Sequence, residues 1–276
     1  MNKLKIKNNE PWHVIEIKNW HMFYDEIEKL AYREWVFRGQ SDSTWGIKSS
    51  LYRLFEDFRE IFKQYGTNRK KFAKNEHERL LIKKFQANAH LYINHLPSME
   101  DKLEWCSIMQ HYGAPTRLID ATFSPYIALY FALEAGYKDC CIFAFKPKHF
   151  TEIDTDIQKT TKYKEYIFDD KKGINNESFF IPYEPKYSNE RLQAQQGLFL
   201  VPSTNYRTFD KIVDLYETDK SECRKYIIPS TLRYEGLTIL RRMNISASNM
   251  FPGIDGFSKS LRYQILDTTE QLQPLT

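Results

Sequence analysis

Between Tyr126 and Ala135 only Glu134 carries a charge, and the residues around it are apolar on every side of a helical turn. Ser124 is a favourable N-cap, Pro125 suits the first helical position and Gly136 supplies the stop, so the segment predicts a helix with defined ends. A helix without a polar face has to be covered on all sides. Whatever fold the chain adopts is therefore built around this element.

The flanking elements are sharply punctuated. Trp105, Ile108, Met109 and Tyr112 keep helical spacing until Gly113 and Pro115 stop the helix, which leaves Gln110 and His111 in its last turn. Thr116 to Ile119 reads as a brief strand ending at Asp120. Upstream, Trp35-Val36-Phe37 reads as a short buried strand with Arg38 where it meets a polar, turn-forming segment through Ser43. Ser49 and Ser50 are candidate N-caps for a helix whose Leu51, Leu54, Phe55, Phe58 and Phe62 form one apolar stripe. A second amphipathic helix is expected from about Lys74 to His95. Beyond Gly136, Cys140 to Phe145, Leu198 to Val201 and Tyr226 to Ile228 read as strands, with helices at about 191–196, 230–243 and 257–266. The alternation lacks a Rossmann pattern and predicts an α+β fold, a small mixed sheet with flanking helices.

Composition excludes several classes. In 276 residues, 42% hydrophobic and 15% aromatic content is far too apolar for a disordered chain. The longest apolar runs, such as Tyr126 to Leu133, fall well short of the roughly 20 residues of a membrane span, and Met1 to Glu10 lacks a signal-peptide core. A soluble, cytoplasmic protein with no membrane partner is expected. Cys106, Cys140, Cys141 and Cys223 form no C-x-x-C pair, and the seven histidines fit no zinc template, so neither a disulfide framework nor a metal is predicted. G-x-G-x-x-G and P-loop signatures are absent. The net charge of +4 decides little, but Lys48 to Lys84 holds eleven Lys or Arg against five acids. That segment is either a phosphate-attracting patch, with nucleic acid as its partner, or the solvated face of two helices.

The polar residues at the element ends are the candidates for chemistry. Arg38 offers a five-donor fork that matches phosphate or carboxylate, and Gly39 beside it permits close approach to the backbone. Either Arg38 holds an anionic ligand or it pairs with Asp120 or Asp42 inside the structure. The helix opened by Ser124 and Pro125 is a second anion-binding element. His111 and Arg117 flank the Gly-Ala-Pro turn and are expected to face one cleft, His111 as an acid or base, the alternative being a helix-capping role. Asp120, Thr122 and Ser124 either bind a ribose or cap the following helix. Gln195 and Gln196 precede Gly197 at a helix end, where an amide recognises a ligand or closes the helix.

Two blocks carry a family resemblance: Val36-Phe37-Arg38-Gly39-Gln40 with Ser41, Asp42 and Trp45, and Gln110-His111-Tyr112-Gly113-Ala114-Pro115-Thr116-Arg117-Leu118-Ile119-Asp120 continuing through Thr122, Ser124, Pro125 and Ala128 to Ala132. Arg191, Gln195 to Phe199, and Phe251, Pro252, Asp255 and Gly256 match further on. The sequence resembles the FRG-domain proteins, a mainly bacterial family. It departs from the family pattern at Ala121, where Trp is usual, and at Gly253, where an acid is usual. The resemblance implies one FRG-type domain over 1–276, with a helical insertion at about 49–97 and an irregular excursion at about 151–178.

The order of these elements is also similar to that of ADP-ribosyltransferases, which bind NAD without a Rossmann fold. Carried over, Arg38 meets the NAD phosphates, Thr122 and Ser124 the nicotinamide-side ribose, and Gln195 or Gln196 takes the third position. A neutral Gln there cannot supply the charge that stabilises an oxocarbenium-like transition state. Either another acid such as Asp120 serves, or the chain binds a nucleotide without turning it over. The expected site has Arg38, His111 and Gln195 as catalytic residues and Gly39, Gln40, Arg117, Asp120, Thr122, Ser124 and Gln196 as binding residues, with NAD as substrate. The expected role is nucleotide binding, with macromolecule modification in bacterial or phage conflict. The rivals are a nucleic-acid-directed protein and a non-catalytic interaction module.

Overall fold

The computed structural model describes residues 11–64, 74–148, 150, 167–168, 178–216 and 222–263. Seven strands form one mixed sheet: β1 (His13–Glu16), β2 (Val36–Gln40), β3 (Ile119–Thr122), β4 (Cys140–Phe145), β5 (Phe180–Tyr183), β6 (Gly197–Pro202) and β7 (Cys223–Ile228). Their order is β1-β7-β4-β2-β3-β6-β5; β1 runs parallel to β7 and every other pair is antiparallel. The fold is α+β, as the alternation of elements predicts, with a larger sheet than expected. The additional strands are β1 and β5, which sit at its two edges.

The apolar helix, α5 (Pro125–Glu134), crosses one face of the sheet. Ser124 accepts a hydrogen bond from the Ile127 amide at 3.3 Å, the N-cap the sequence calls for. Its cover comes from Phe37, Ile142, Ala144 and Tyr226 of the sheet and from Trp20 and Phe23 of α1 (Trp20–Glu28). Each buried Leu or Ile in such a layer contributes about 1.5–3 kcal/mol relative to exposure. The opposite face packs Val36, Phe143, Phe145 and Phe180 against Trp12, Ile47 and Phe209. A third cluster joins β5 and β6 to α3 (Lys74–Ala89) and α4 (Lys102–His111) through Ile82, Trp105, Met109 and Val201.

α5 lies so close to β2 that a Cβ on Gly39 would sit 1.9 Å from the Ala128 carbonyl oxygen and 2.7 Å from the Ala132 nitrogen. Gly39 thus makes room for a helix backbone rather than for a ligand, which corrects the reading from sequence. The same strand runs on through Arg38, Gly39 and Gln40, paired with Phe143, Ile142 and Cys141 of β4, where a turn is expected from composition. β3 begins at Ile119 instead of Thr116, because Thr116 and Arg117 are consumed in side-chain anchoring described below.

β2 pairs with β4 at five positions and β3 pairs with β6 at four, yet β2 and β3 meet only at Phe37 and Thr122. Beyond that point the two central strands part and the sheet is split, which leaves backbone groups of both strands without a ladder partner.

The remaining α-helices among the described residues are α2 (Ser50–Gln64), α6 (Glu190–Ala194), α7 (Phe209–Asp214), α8 (Arg233–Arg242), α9 (Ala247–Met250) and α10 (Ile254–Ser260). The second amphipathic helix stops at Ala89, short of the expected His95, and α10 begins three residues before the expected start. Of the expected excursion at about 151–178, all but Ile167, Phe168 and Ser178 lies outside the described residues.

Because the contact at Gly39 is with backbone, no rotamer change can relieve an added methyl. Gly39→Ala should destabilise the protein by about 3 kcal/mol, the upper end for overpacking. Urea denaturation checks this, and an unchanged midpoint would contradict the packing described.

Candidate functional site: a cationic cleft in a split sheet

The split opens into a cleft of about 860 Å³, within the size range of small-molecule sites. Phe37 to Gln40 line one wall and Asp120 to Thr122 the other. The loop from Ser41 to Gly46 and the α2 residues Arg53, Glu56 and Asp57 close one end, and Ala128 and Phe131 of α5 show through the gap. Arg191 and Gln195 complete the rim.

Arg38 spans the split. Its Nη1 donates to the main-chain oxygen of Asp120, so the guanidinium takes the place of a missing ladder bond between β2 and β3. Its Nε is buried with no partner, and so is Nε2 of Gln40, two residues along the same strand. Buried donors of this kind are rare enough to demand an explanation. Among the described residues, no carboxylate lies within ion-pair distance of Arg38, Arg53 or Arg191. Burial pushes the Arg38 guanidinium down from its ordinary value, Asp120 offsets part of that effect, and the neighbouring charge of Arg53 adds to it. Arginine stays protonated under such a shift. Lys48 is neutralised by Glu56 at 2.8 Å, while Arg53 donates to the Lys48 carbonyl at 2.8 Å. The cleft thus holds three arginines that form no ion pair among the described residues and two orphaned donors, alongside the carboxylates of Glu56, Asp57 and Asp120; a guanidinium edge and an amide with no acceptor are what an anion satisfies.

The structure divides the residues expected at the site. Arg38, Gly39, Gln40, Asp120, Thr122 and Gln195 line the cleft. Thr122 and Gln195 also serve the fold. The Thr122 hydroxyl donates to the Gln195 carbonyl at 2.7 Å and accepts from the Ser124 amide at 3.0 Å. The Gln195 amide donates to the Met250 carbonyl at 2.9 Å and ties α6 to α9. Ser124, the helix cap, is not among the cleft residues, so the α5 N-terminus and Arg38 do not share a pocket. Gln196 is a turn residue with φ of 43°, its carbonyl bound by the Phe123 amide at 3.0 Å. His111 is half-buried outside the cleft; burial and the charge of Arg191 both lower its pKa, favouring the neutral imidazole.

Arg117 is the clearest correction. It is fully buried, makes a two-pronged ion pair with Glu78 of α3, and donates to the carbonyls of Ile167 and Pro202. Phe168 stacks under the guanidinium at 4.7 Å. Asn205 completes the coordination of Glu78 at 2.8 Å. The buried structural ion pair considered for Arg38 thus exists, but Arg117 makes it. Thr116 next to it grips the start of α2: its carbonyl accepts from the Leu51 amide at 3.0 Å and its amide donates to the Ser50 hydroxyl at 3.0 Å.

Among its described residues the basic segment is paired in part. Lys48 pairs with Glu56, Arg59 and Lys63 with Glu60, and Lys74 is folded back among Tyr52, Phe55 and Tyr206 while donating to the Asn205 carbonyl at 3.0 Å. Sequence reasoning placed Lys48 and Arg53 there and missed their position on the cleft. Arg53, Glu56 and Asp57 recur at helical spacing opposite buried Leu51 and Phe55, and that polar face was the available signal.

The fold and cleft together define an α+β protein with a split sheet whose cleft is lined by arginines, acids and two orphaned donors. Residues 33–140 match the family model of the FRG domain, a span holding every cleft residue except Arg191 and Gln195. The chain carries an FRG domain over these residues. No curated protein and no solved structure matches it. Among the described residues, no helix is long and apolar enough to cross a membrane, and no group of three or more His, Cys, Asp or Glu is placed to hold a metal ion.

Two outcomes separate structural from functional residues. Arg117→Ala leaves Glu78 buried and uncompensated and should cost about 3–5 kcal/mol of stability. Arg38→Gln removes a buried, unsatisfied donor and should leave the urea midpoint unchanged or raise it. Equal losses in both variants would make Arg38 structural as well.

A pH effect follows from the loop on the cleft rim. The Asp42 carboxyl is held down to about 2, chiefly by hydrogen bonding from Lys138 and then from Thr44. A depressed acid contributes stability above its ordinary value of 3.8, and that contribution is lost as pH falls towards about 2. Asp42→Asn should therefore lower the urea midpoint at neutral pH, with the gap to the parent protein closing at acid pH.

Proposed function

We propose that the protein binds a nucleotide in the split between β2 and β3, with NAD as the first ligand to test. One observation carries this reading: Arg38 Nε and Gln40 Nε2 are buried without partners in a cleft that also holds Arg53 and Arg191, and none of these three arginines forms an ion pair among the described residues, although Asp57 and Asp120 share the lining. A phosphate accepts from a guanidinium edge and an amide together, and a second phosphate is within the reach of a cleft that also carries Arg53 and Arg191. The order of the elements, with an aromatic-Arg-Gly strand before a Thr-x-Ser junction, adds the ADP-ribosyltransferase analogy, which rests on arrangement alone.

If NAD is turned over, a carboxylate has to face the ribose as the bond to nicotinamide breaks. Gln195 is neutral and already bound to Met250, and Glu56 is tied to Lys48. Two cleft acids are left for that role, Asp57 and Asp120; Asp120, whose carboxylate accepts only from the Gln110 amide at 3.1 Å among the described residues, lies on the wall facing Arg38 and is the one taken here. The acceptor of the transferred group in this reading is a macromolecule, in the setting of bacterial or phage conflict.

Thermal unfolding with NAD, ADP and ATP tests the proposal. A ligand at 100 times its dissociation constant adds about 2.7 kcal/mol to the folded state, or a rise of several degrees at this chain length. The rise should vanish in Arg38→Gln and persist in Asp120→Asn, whereas nicotinamide release, if it occurs, should be lost in both. No shift with any of the three nucleotides would overturn the reading.

A further inference from the structure

Of the five tryptophans, Trp12, Trp20, Trp35 and Trp105 are 5% exposed or less, while Trp45 is 55% exposed and lies on the cleft. Among the described residues no ring or cation covers its indole. A large apolar ring left open to water on an otherwise polar rim needs a reason, and the loop that carries it gives a physical one. The loop is pinned from both sides by carboxylates, one buried (Asp42) and one half-buried (Asp210). Asp42 accepts from the Thr44 amide at 2.9 Å and the Thr44 hydroxyl at 2.6 Å, and is itself held by Lys138 at 2.6 Å. The Trp45 amide donates to the Asp42 carbonyl at 3.2 Å and the Ser43 amide to the Asp139 carbonyl at 2.7 Å.

On the far side, the Ile47 amide donates to Asp210 Oδ2 at 2.6 Å, and Trp12 fixes Oδ1 of the same carboxylate at 2.9 Å. A Cβ at Gly46 would fall 2.7 Å from Asp210 Oδ2, so the glycine lets the loop close over that acid. The conformation is thus set before any ligand arrives, and the indole is held out at the mouth of a cationic cleft. Such a ring contributes by stacking on a planar partner, and holding it still in advance reduces the ordering cost of binding.

We infer that Trp45 is a preorganised stacking platform and that the cleft selects ligands joining a planar aromatic ring to an anionic group, in preference to ring-free phosphates. The inference rests on the anion-binding reading above and adds the ring requirement to it. Fluorescence titration of the full chain with ADP and with inorganic pyrophosphate tests it. ADP should quench the emission of the one exposed tryptophan, an effect absent in Trp45→Phe. Trp45→Ala should weaken ADP binding by about tenfold or more, the range expected for a lost base stack, with pyrophosphate affinity, followed by calorimetry, unchanged. Trp45→Phe should restore most of the ADP affinity.

Undiminished ADP affinity in Trp45→Ala, alongside loss of both ligands in Arg38→Gln, would overturn the stacking role and leave the anion site standing. Failure of the parent protein to bind either ligand would overturn both. Equal weakening of ADP and pyrophosphate in Trp45→Ala would mean that the residue shapes the loop rather than the ligand's ring, and would also overturn the inference.

Discussion

The passage of the α5 backbone across β2 at Gly39 is the contact on which the rest of the molecule depends. Helix carbonyl and strand approach closer than any side chain allows, so the strand must offer a residue without a Cβ at that position. With Gly39 against the helix, strand alternation sends Arg38 and Gln40 to the other side of β2. The split from β3 then leaves them facing a cleft instead of a sheet interior. Local packing thus aims the two donors that have no protein partner.

Much of the signature that marks the FRG domain serves the fold. Thr122 locks β3 to the turn after α6, Ser124 caps α5, Arg117 anchors α3, and Thr116 grips α2. A smaller set, Arg38, Gln40, Asp120 and the cations around them, is left unsatisfied or exposed, and the proposed function rests on these residues. The contrast between two arginines shows the division well. Arg117 is buried with a carboxylate and three carbonyls around it, while Arg38 is half-buried with one carbonyl and an idle, buried Nε.

Local signals made α5, its cap and its stop, the end of α4 and strand β4 legible from sequence. They failed where tertiary contacts override local chemistry. Arg38-Gly39-Gln40 has the composition of a turn, yet ladder bonds to Phe143, Ile142 and Cys141 keep it extended. Pro182 argues against a strand and is tolerated because β5 lies at the sheet edge. α1 was readable from Asn19, Trp20, Phe23 and Ile27, a cap and a stripe that sequence reasoning passed over. No local pattern tells that Glu78 pairs with Arg117 and leaves Arg38 free of any acid, since the partners are 39 residues apart in the chain. The cleft cations from α2 and from Arg191 were hidden for the same reason, being assembled from distant segments.

The central claim is that Arg38 Nε waits for an acceptor supplied by a ligand. The nitrogen-15 resonance of that Nε–H group, assigned by its loss in Arg38→Lys, reads this directly during titration with a nucleotide. The account predicts that its proton moves downfield and becomes protected from exchange with water as the site fills. A nucleotide that binds while this resonance stays where it was would contradict the account.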